Sequence, residues 1–196
     1  MRLIKPQYKN MTDESLMVSI RKGDKRAFDE IYDRYSGPLL GYFIRMLWRD
    51  REKSEDFVHD LFAKIIRKPE LFDTDRKFKT WIYSVANNMC KNEYKKQEVR
   101  KNTSSGLDNH YALTDTNSNV MKDVQDNQFR EDLELSLDSL DLKHKEAFRL
   151  RHMDGLSIKE IAEVLEISDG TVKSRLFYAT KYLAKSLDHY NPIENR

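Results

Sequence analysis

The stretch LSIKEIAEVLEISDGTVKSRLFYATKYLAKSL, residues 156–187, combines residue types and spacing that could read a nucleic-acid groove. Ser157 followed three residues later by Glu160 is a capping box. The helix it opens turns Ile161, Ala162 and Leu165 inward, and small Ala162 lets a second helix cross closely. Glu166 and Ile167 make the turn, Ser168 caps the second helix, and Asp169 sits in its first turn, where an acid is favoured. Val172 and Leu176 face the first helix. That leaves Thr171, Lys173, Ser174, Arg175, Phe177 and Tyr178 outward, with Lys181 one turn on. Arginine and lysine reach base edges or phosphates, and hydroxyls serve near the backbone, so this is the chemistry of a helix-turn-helix in a major groove. Glu166 stands where such turns usually have glycine; a positive φ there costs about 1 kcal/mol.

Two further constellations lie in the N-terminal half. In residues 56–66, DFVHDLFAKII, the residues Phe57, Val58, Leu61, Phe62, Ile65 and Ile66 form a wide apolar stripe. Asp56, His59, Asp60 and Lys64 fall on the opposite face, the two acids at i and i+4, so both can address one partner. An ordinary solvated face is the alternative. In residues 76–96, RKFKTWIYSVANNMCKNEYKK, Phe78, Ile82, Val85 and Met89 can line a core. Trp81 and Tyr83 stand between Lys79, Lys91, Lys95 and Lys96. Aromatic faces among cations suit single-stranded DNA, although Trp81 taken alone reads more readily as core. Asn87 and Asn88 interrupt good helix formers and suggest a short loop offering amides to a base edge.

The elements that must position these groups are helical throughout. Thr12 or Asp13 can cap a helix over residues 14–22 that Gly23 ends, and Asp24 starts the next, with Phe28, Ile31, Tyr32 and Tyr35 on one face. Gly37-Pro38 should interrupt it, with an apolar pattern resuming over residues 39–48. Ser54 should open a helix to about Arg67, and a helical pair should cover residues 78–99. Residues 97–127 are rich in Asn, Asp, Ser and Thr without a sustained apolar period. They read as a flexible polar linker with at most one turn near Tyr111 to Leu113. Helical periodicity returns over residues 128–187. The expectation is an all-α protein of two small helical domains, residues 1–96 and 128–196, joined by the linker 97–127.

Composition sets the bounds. The net charge is only +2, yet residues 1–96 hold 21 Lys and Arg against 15 Asp and Glu, and residues 169–185 hold 4 against 1. Two basic patches suggest two contacts with a polyanion. No apolar run approaches the ~20 residues of a membrane span, and no secretory pattern follows Met1. The single cysteine, Cys90, reads as core and fits a reducing compartment. None of the five histidines pairs with another ligand at metal spacing, and no phosphate loop or nucleophile elbow is present, so neither metal, cofactor nor catalysis is expected.

Residues 26–32 (RAFDEIY), 55–62 (EDFVHDLF), 78–87 (FKTWIYSVAN) and 156–187 together resemble the extracytoplasmic-function (ECF) class of sigma factors, in the expected order with a variable linker between. The resemblance implies a cytoplasmic protein that binds core RNA polymerase through Asp56, His59, Asp60 and Lys64, on a helix that docks on the clamp-helix coiled coil of the largest subunit. It implies that Lys79, Trp81, Tyr83, Asn87, Asn88, Lys91 and Lys95 melt and read the −10 element of promoter DNA, with a loop near Asn87 capturing a flipped base. It assigns the −35 element to Thr171, Lys173, Ser174, Arg175, Phe177, Tyr178 and Lys181, and threads the linker through the RNA exit path. His59-Asp60 replaces the Gln-Glu or Gln-Asp pair often found in the family. A monomer held in check by an anti-sigma factor is expected. A stand-alone helix-turn-helix regulator, dimeric on two half-sites, is the competing expectation; it would have no use for residues 55–62 and 78–87 together.

Overall fold

The computed structural model describes residues 8–103 and 122–191; the centre of the expected linker, including Tyr111 to Leu113, lies outside them. The chain divides into two units, residues 1–109 and 110–196. Every regular element among the described residues is helical.

In the first unit, helix α1 spans Asp13–Arg21, and the Thr12 hydroxyl accepts the Ser15 N–H at 3.3 Å. Gly23, at φ +84, turns the chain as expected of a glycine in that position. Helix α2 spans Lys25–Met46, its N-terminus closed by the Asp24 carboxylate, which accepts from Arg26 and Ala27. The expected interruption at Gly37-Pro38 does not occur: α2 runs through Pro38. Gly37 and Pro38 lie on the solvent face, where the carbonyl left without a proline N–H partner can meet water. Buried Tyr35, Leu39, Tyr42 and Phe43 hold both halves of the helix to one core.

Helix α3 spans Arg51–Arg67 and begins one turn before the expected Ser54. Asp50 is the cap, accepting the Lys53 N–H at 3.0 Å, and Ser54 is buried inside the helix, donating to the Asp50 carbonyl. Helix α4 spans Phe78–Thr103 without the expected break at Asn87-Asn88. It covers residues 97–103 of the expected linker, and in the second unit helix α5, Lys122–Asp138, covers residues 122–127.

Long-range polar bonds fasten the first unit. All five N–H groups of Arg34 are used: toward Glu30 and Asp13, and toward the carbonyls of Tyr8, Lys9 and Met11. Tyr35 donates to the other oxygen of Asp13. Burial is the main cause, and the Asp13 carboxylate the next, that pushes the Tyr35 hydroxyl far above its ordinary range. Glu14 accepts the Phe78 N–H at 3.0 Å and so caps α4 from α1. Tyr94 of α4 donates to the Met46 carbonyl at 2.5 Å, and Lys53 of α3 pairs with buried Glu93 of α4 at 2.5 Å.

The second unit adds helices α6, Leu142–His152, α7, Ile158–Leu165, and α8, Asp169–Ser186. Leu137, Ala147, Leu150, Leu156, Ile161, Val164, Val172, Ala179 and Leu183 form its core. Arg149 of α6 is only 3% exposed and is neutralised by Glu134 at 2.9 Å and Asp138 at 3.5 Å, which ties α5 to α6. Ser136 and Ser186 share a hydrogen bond at 2.7 Å, and Tyr190 donates to Asp132 at 2.6 Å, which tie α5 to the end of α8. The Asp132 bond raises the Tyr190 hydroxyl to about 12 and in return lowers the Asp132 carboxyl.

Candidate nucleic-acid interfaces

The α7–α8 pair has the local geometry that the sequence specifies. The Ser157 hydroxyl accepts the Glu160 N–H at 3.3 Å while the Glu160 carboxylate accepts the Ser157 N–H at 2.8 Å. Glu166 adopts φ 58, the left-handed conformation, so the turn does carry a non-glycine residue at a positive φ. Ser168 accepts the Thr171 N–H at 3.2 Å and opens α8. Val172 is buried and Leu176 half-buried on the inner side. Thr171, Lys173, Ser174, Phe177, Tyr178 and Lys181 are exposed and Arg175 is half-buried. The expected −35 set therefore shares one helix and reaches the surface together, with Tyr178 6.0 Å from the His144 ring of α6.

On α3 the four expected partner-binding residues, Asp56, His59, Asp60 and Lys64, are all exposed. Val58, Leu61, Phe62 and Ile65 are buried behind them, and Phe57 is half-buried 5.4 Å from the Phe43 ring. Ile66 departs from the expected buried stripe and is 56% exposed. At 100° per residue the stripe's edge has already turned to solvent by Ile66, one residue beyond Ile65.

The residues expected on the −10 face are divided by the structure. Asn88 and Lys95 are exposed, and Lys79 and Lys91 half-buried. Trp81 is half-buried with its ring 5.3 Å from Phe72 and 5.7 Å from Phe78, so it is packed on one side and open on the other. Tyr83 is 2% exposed, its ring 5.5 Å from Tyr42, and Asn87 is 0% exposed and accepts from the Tyr42 hydroxyl at 3.3 Å. The loop near Asn87 is thus replaced by continuous helix. An asparagine breaks a helix when its amide competes for the backbone; here the amide oxygen is engaged by Tyr42, and the competition is removed. The sequence does carry one signal for this. Tyr42 lies seven residues after Tyr35 on the apolar face of α2, so its hydroxyl enters the core and needs an acceptor there.

Among the described residues no group of three or more His, Cys, Asp or Glu could hold a metal ion, and no helix is long and apolar enough to cross a membrane.

Known proteins share this arrangement. The family described as Sigma-70 region 2 matches residues 31–100, and Sigma-70, region 4 matches residues 130–183, so the α2–α4 core and the helix-turn-helix are the two parts of one kind of transcription initiation factor. The RNA polymerase sigma-H factor of Pseudomonas aeruginosa is 30% identical over 182 residues, covering 89% of this chain and 93% of its own. The ECF RNA polymerase sigma factor SigW of Bacillus subtilis is 32% identical over 178 residues, covering 86% and 92%. The sigma factor RpoE of Bartonella quintana, in complex with the anti-sigma factor NepR, has a similar fold at a TM-score of 0.69 and 22% identity, covering 86% of this chain and 98% of its own. This chain belongs to the ECF family of RNA polymerase sigma factors.

Proposed function

We propose that the exposed face of α3, bearing Asp56, His59, Asp60 and Lys64, binds core RNA polymerase and that the two units then direct the enzyme to promoters. The C-terminal unit reads the −35 element through Thr171, Lys173, Ser174, Arg175, Phe177 and Tyr178, with Lys181 on phosphate. The N-terminal unit engages the −10 element through Lys79, Trp81, Asn88, Lys91 and Lys95 of α4, while Tyr83 and Asn87 fix that helix from inside. The observation that carries this reading is the occurrence of both matched regions on one chain, with a solvent-facing acidic pair on a helix of the first. A regulator acting through a helix-turn-helix alone would need only the second. In this reading the polymerase supplies all the bond-making chemistry, and the protein contributes binding energy, selection and strand separation in the cytoplasm. The free protein is a monomer, and its regulating partner is an anti-sigma factor, as the complex formed by the Bartonella quintana protein suggests.

Charge reversal tests the docking face. Asp56→Lys together with Asp60→Lys should weaken binding to core by at least about a hundredfold, because each acid would leave a basic partner facing a like charge. Helical content and melting temperature should hold, since neither side chain is buried. Unchanged affinity at moderate salt would remove the assignment of this face.

A further inference from the structure

The corner between α2 and α3 joins backbone strain to an exposed aromatic ring. Trp48 and Arg49 are consecutive non-glycine residues with positive φ, 54 and 61. A bulky residue is disfavoured there, and two in succession persist only when the surroundings impose them. The corner nevertheless leaves almost half of the residue open: Trp48 is 47% exposed and rests edge-on against Tyr94 of α4, ring centres 5.1 Å apart at 73°. Tyr94 is itself pinned to the end of α2 through the Met46 carbonyl. The strained turn therefore holds an indole at the surface beside α4.

Its position on α4 is informative. Asn87 and Tyr94 face α2, whereas Glu93, on the other flank, is held by Lys53 of α3. Lys91, Asn88 and Lys95 fall within roughly 60° of one another around the helix, on the α2 flank. Trp48 lies against Tyr94, which follows Lys91 by three residues and sits about 60° from it around the helix, so the indole neighbours the Lys91 edge of that face. An aromatic ring edging a row of cations offers a stacking surface and a phosphate track together.

We infer that the Trp48–Arg49 corner is an additional promoter-DNA contact, in which the indole packs against a base or sugar and the guanidinium meets a phosphate, extending the α4 face beyond the region 2 residues already assigned. The inference rests on the sigma-factor reading above.

Holoenzyme assembled from purified core and the full chain tests it, with wild type, Trp48→Ala, Trp48→Phe and Arg49→Gly compared for core affinity, melting temperature and affinity for a promoter duplex. Trp48→Ala should lower promoter affinity about tenfold with core affinity within about twofold, and Trp48→Phe should retain most of the binding. Arg49→Gly relieves the positive φ, so it should melt higher yet bind promoter more weakly, with a salt dependence shallower by about one ion. Promoter affinity unchanged in Trp48→Ala would overturn the inference. So would Arg49→Gly that melts higher at full affinity, or a loss by Trp48→Ala that appears in core affinity, which would assign the corner to a protein contact. Wild-type holoenzyme that forms no promoter complex would remove the sigma-factor reading itself, and this contact with it; wild type that binds normally beside an unaffected Trp48→Ala removes only the corner.

Discussion

Helix α8 is started by residues three positions away, whereas α4 is placed by residues forty or more away. The Ser168–Thr171 cap, the Ser157–Glu160 capping box and the left-handed Glu166 define the entry to α8 within residues 157–171. The corresponding ties on α4 come from Glu14 of α1, Tyr42 and Met46 of α2 and Lys53 of α3. Each of the two helices packs against three others of its own unit, but the entry to α8 is capped locally, whereas α4 spends polar groups along its length on ties to α1, α2 and α3. Tyr83 and Asn87 of α4 are accordingly buried, while the whole expected set on α8 reaches the surface or its edge.

The contrast breaks most visibly at Arg34. If remote polar bonds hold the first unit, Arg34→Ala should destabilise it by about 3 kcal/mol, since it strips partners from two carboxylates and three carbonyls at once. Chemical denaturation reads this; a loss under about 0.5 kcal/mol would mean that apolar packing alone sets the unit. On the local side, Arg175→Ala should cost about 1 to 3 kcal/mol at one or two promoter positions, whereas Lys181→Ala should weaken all sequences alike. A transcription series on promoter variants separates the two, and uniform loss from both would deny base reading by α8.

Smaller effects sharpen the same comparison. Glu166→Gly should stabilise the C-terminal unit by about 1 kcal/mol by relieving φ 58, measured as a higher melting temperature. A fall in stability would show that the Glu166 side chain contributes more than its backbone costs. The smallest effect concerns Glu14. Burial alone would raise its carboxyl, but the Phe78 N–H it accepts, with further hydrogen bonds and Lys77 nearby, outweighs burial and holds it below the ordinary 4.5. A depressed carboxyl contributes stability above its unfolded value and loses it as pH falls through the folded one. Glu14→Gln should therefore flatten the acid limb of the stability profile below about pH 4.5 and leave the alkaline side unchanged in shape. An acid limb as steep as that of wild type would show that Glu14 does not couple α1 to α4.

The same distinction decides what is legible in the sequence. Four of the five caps whose acceptor lies two or three residues from its donor can be read there: Thr12, Asp24, Ser157 and Ser168. So can the amphipathic α3 and the helix-turn-helix. Pro38 and the Asn87-Asn88 pair mislead because each is a helix breaker by local propensity. Tertiary partners, namely the continuous core under Pro38 and the Tyr42 hydroxyl on Asn87, outweigh that propensity. Asp50 is hard to pick out as the cap of α3 because Ser54 offers the same chemistry one turn later, and only the fold shows that hydroxyl buried inside the helix. The Trp48–Arg49 corner leaves no pattern at all, since neither residue type announces a positive φ.

Promoter-directed transcription by purified core polymerase, with and without this protein, tests the central claim most directly. Addition of the wild-type chain should produce initiation from a discrete start site on a cognate promoter. The Asp56→Lys, Asp60→Lys variant should give none, while its C-terminal helix-turn-helix surface stays intact. Wild-type chain that leaves the start-site pattern of core unchanged, and instead binds DNA tightly by itself as a dimer on paired half-sites, would contradict the claim that this protein acts through the polymerase.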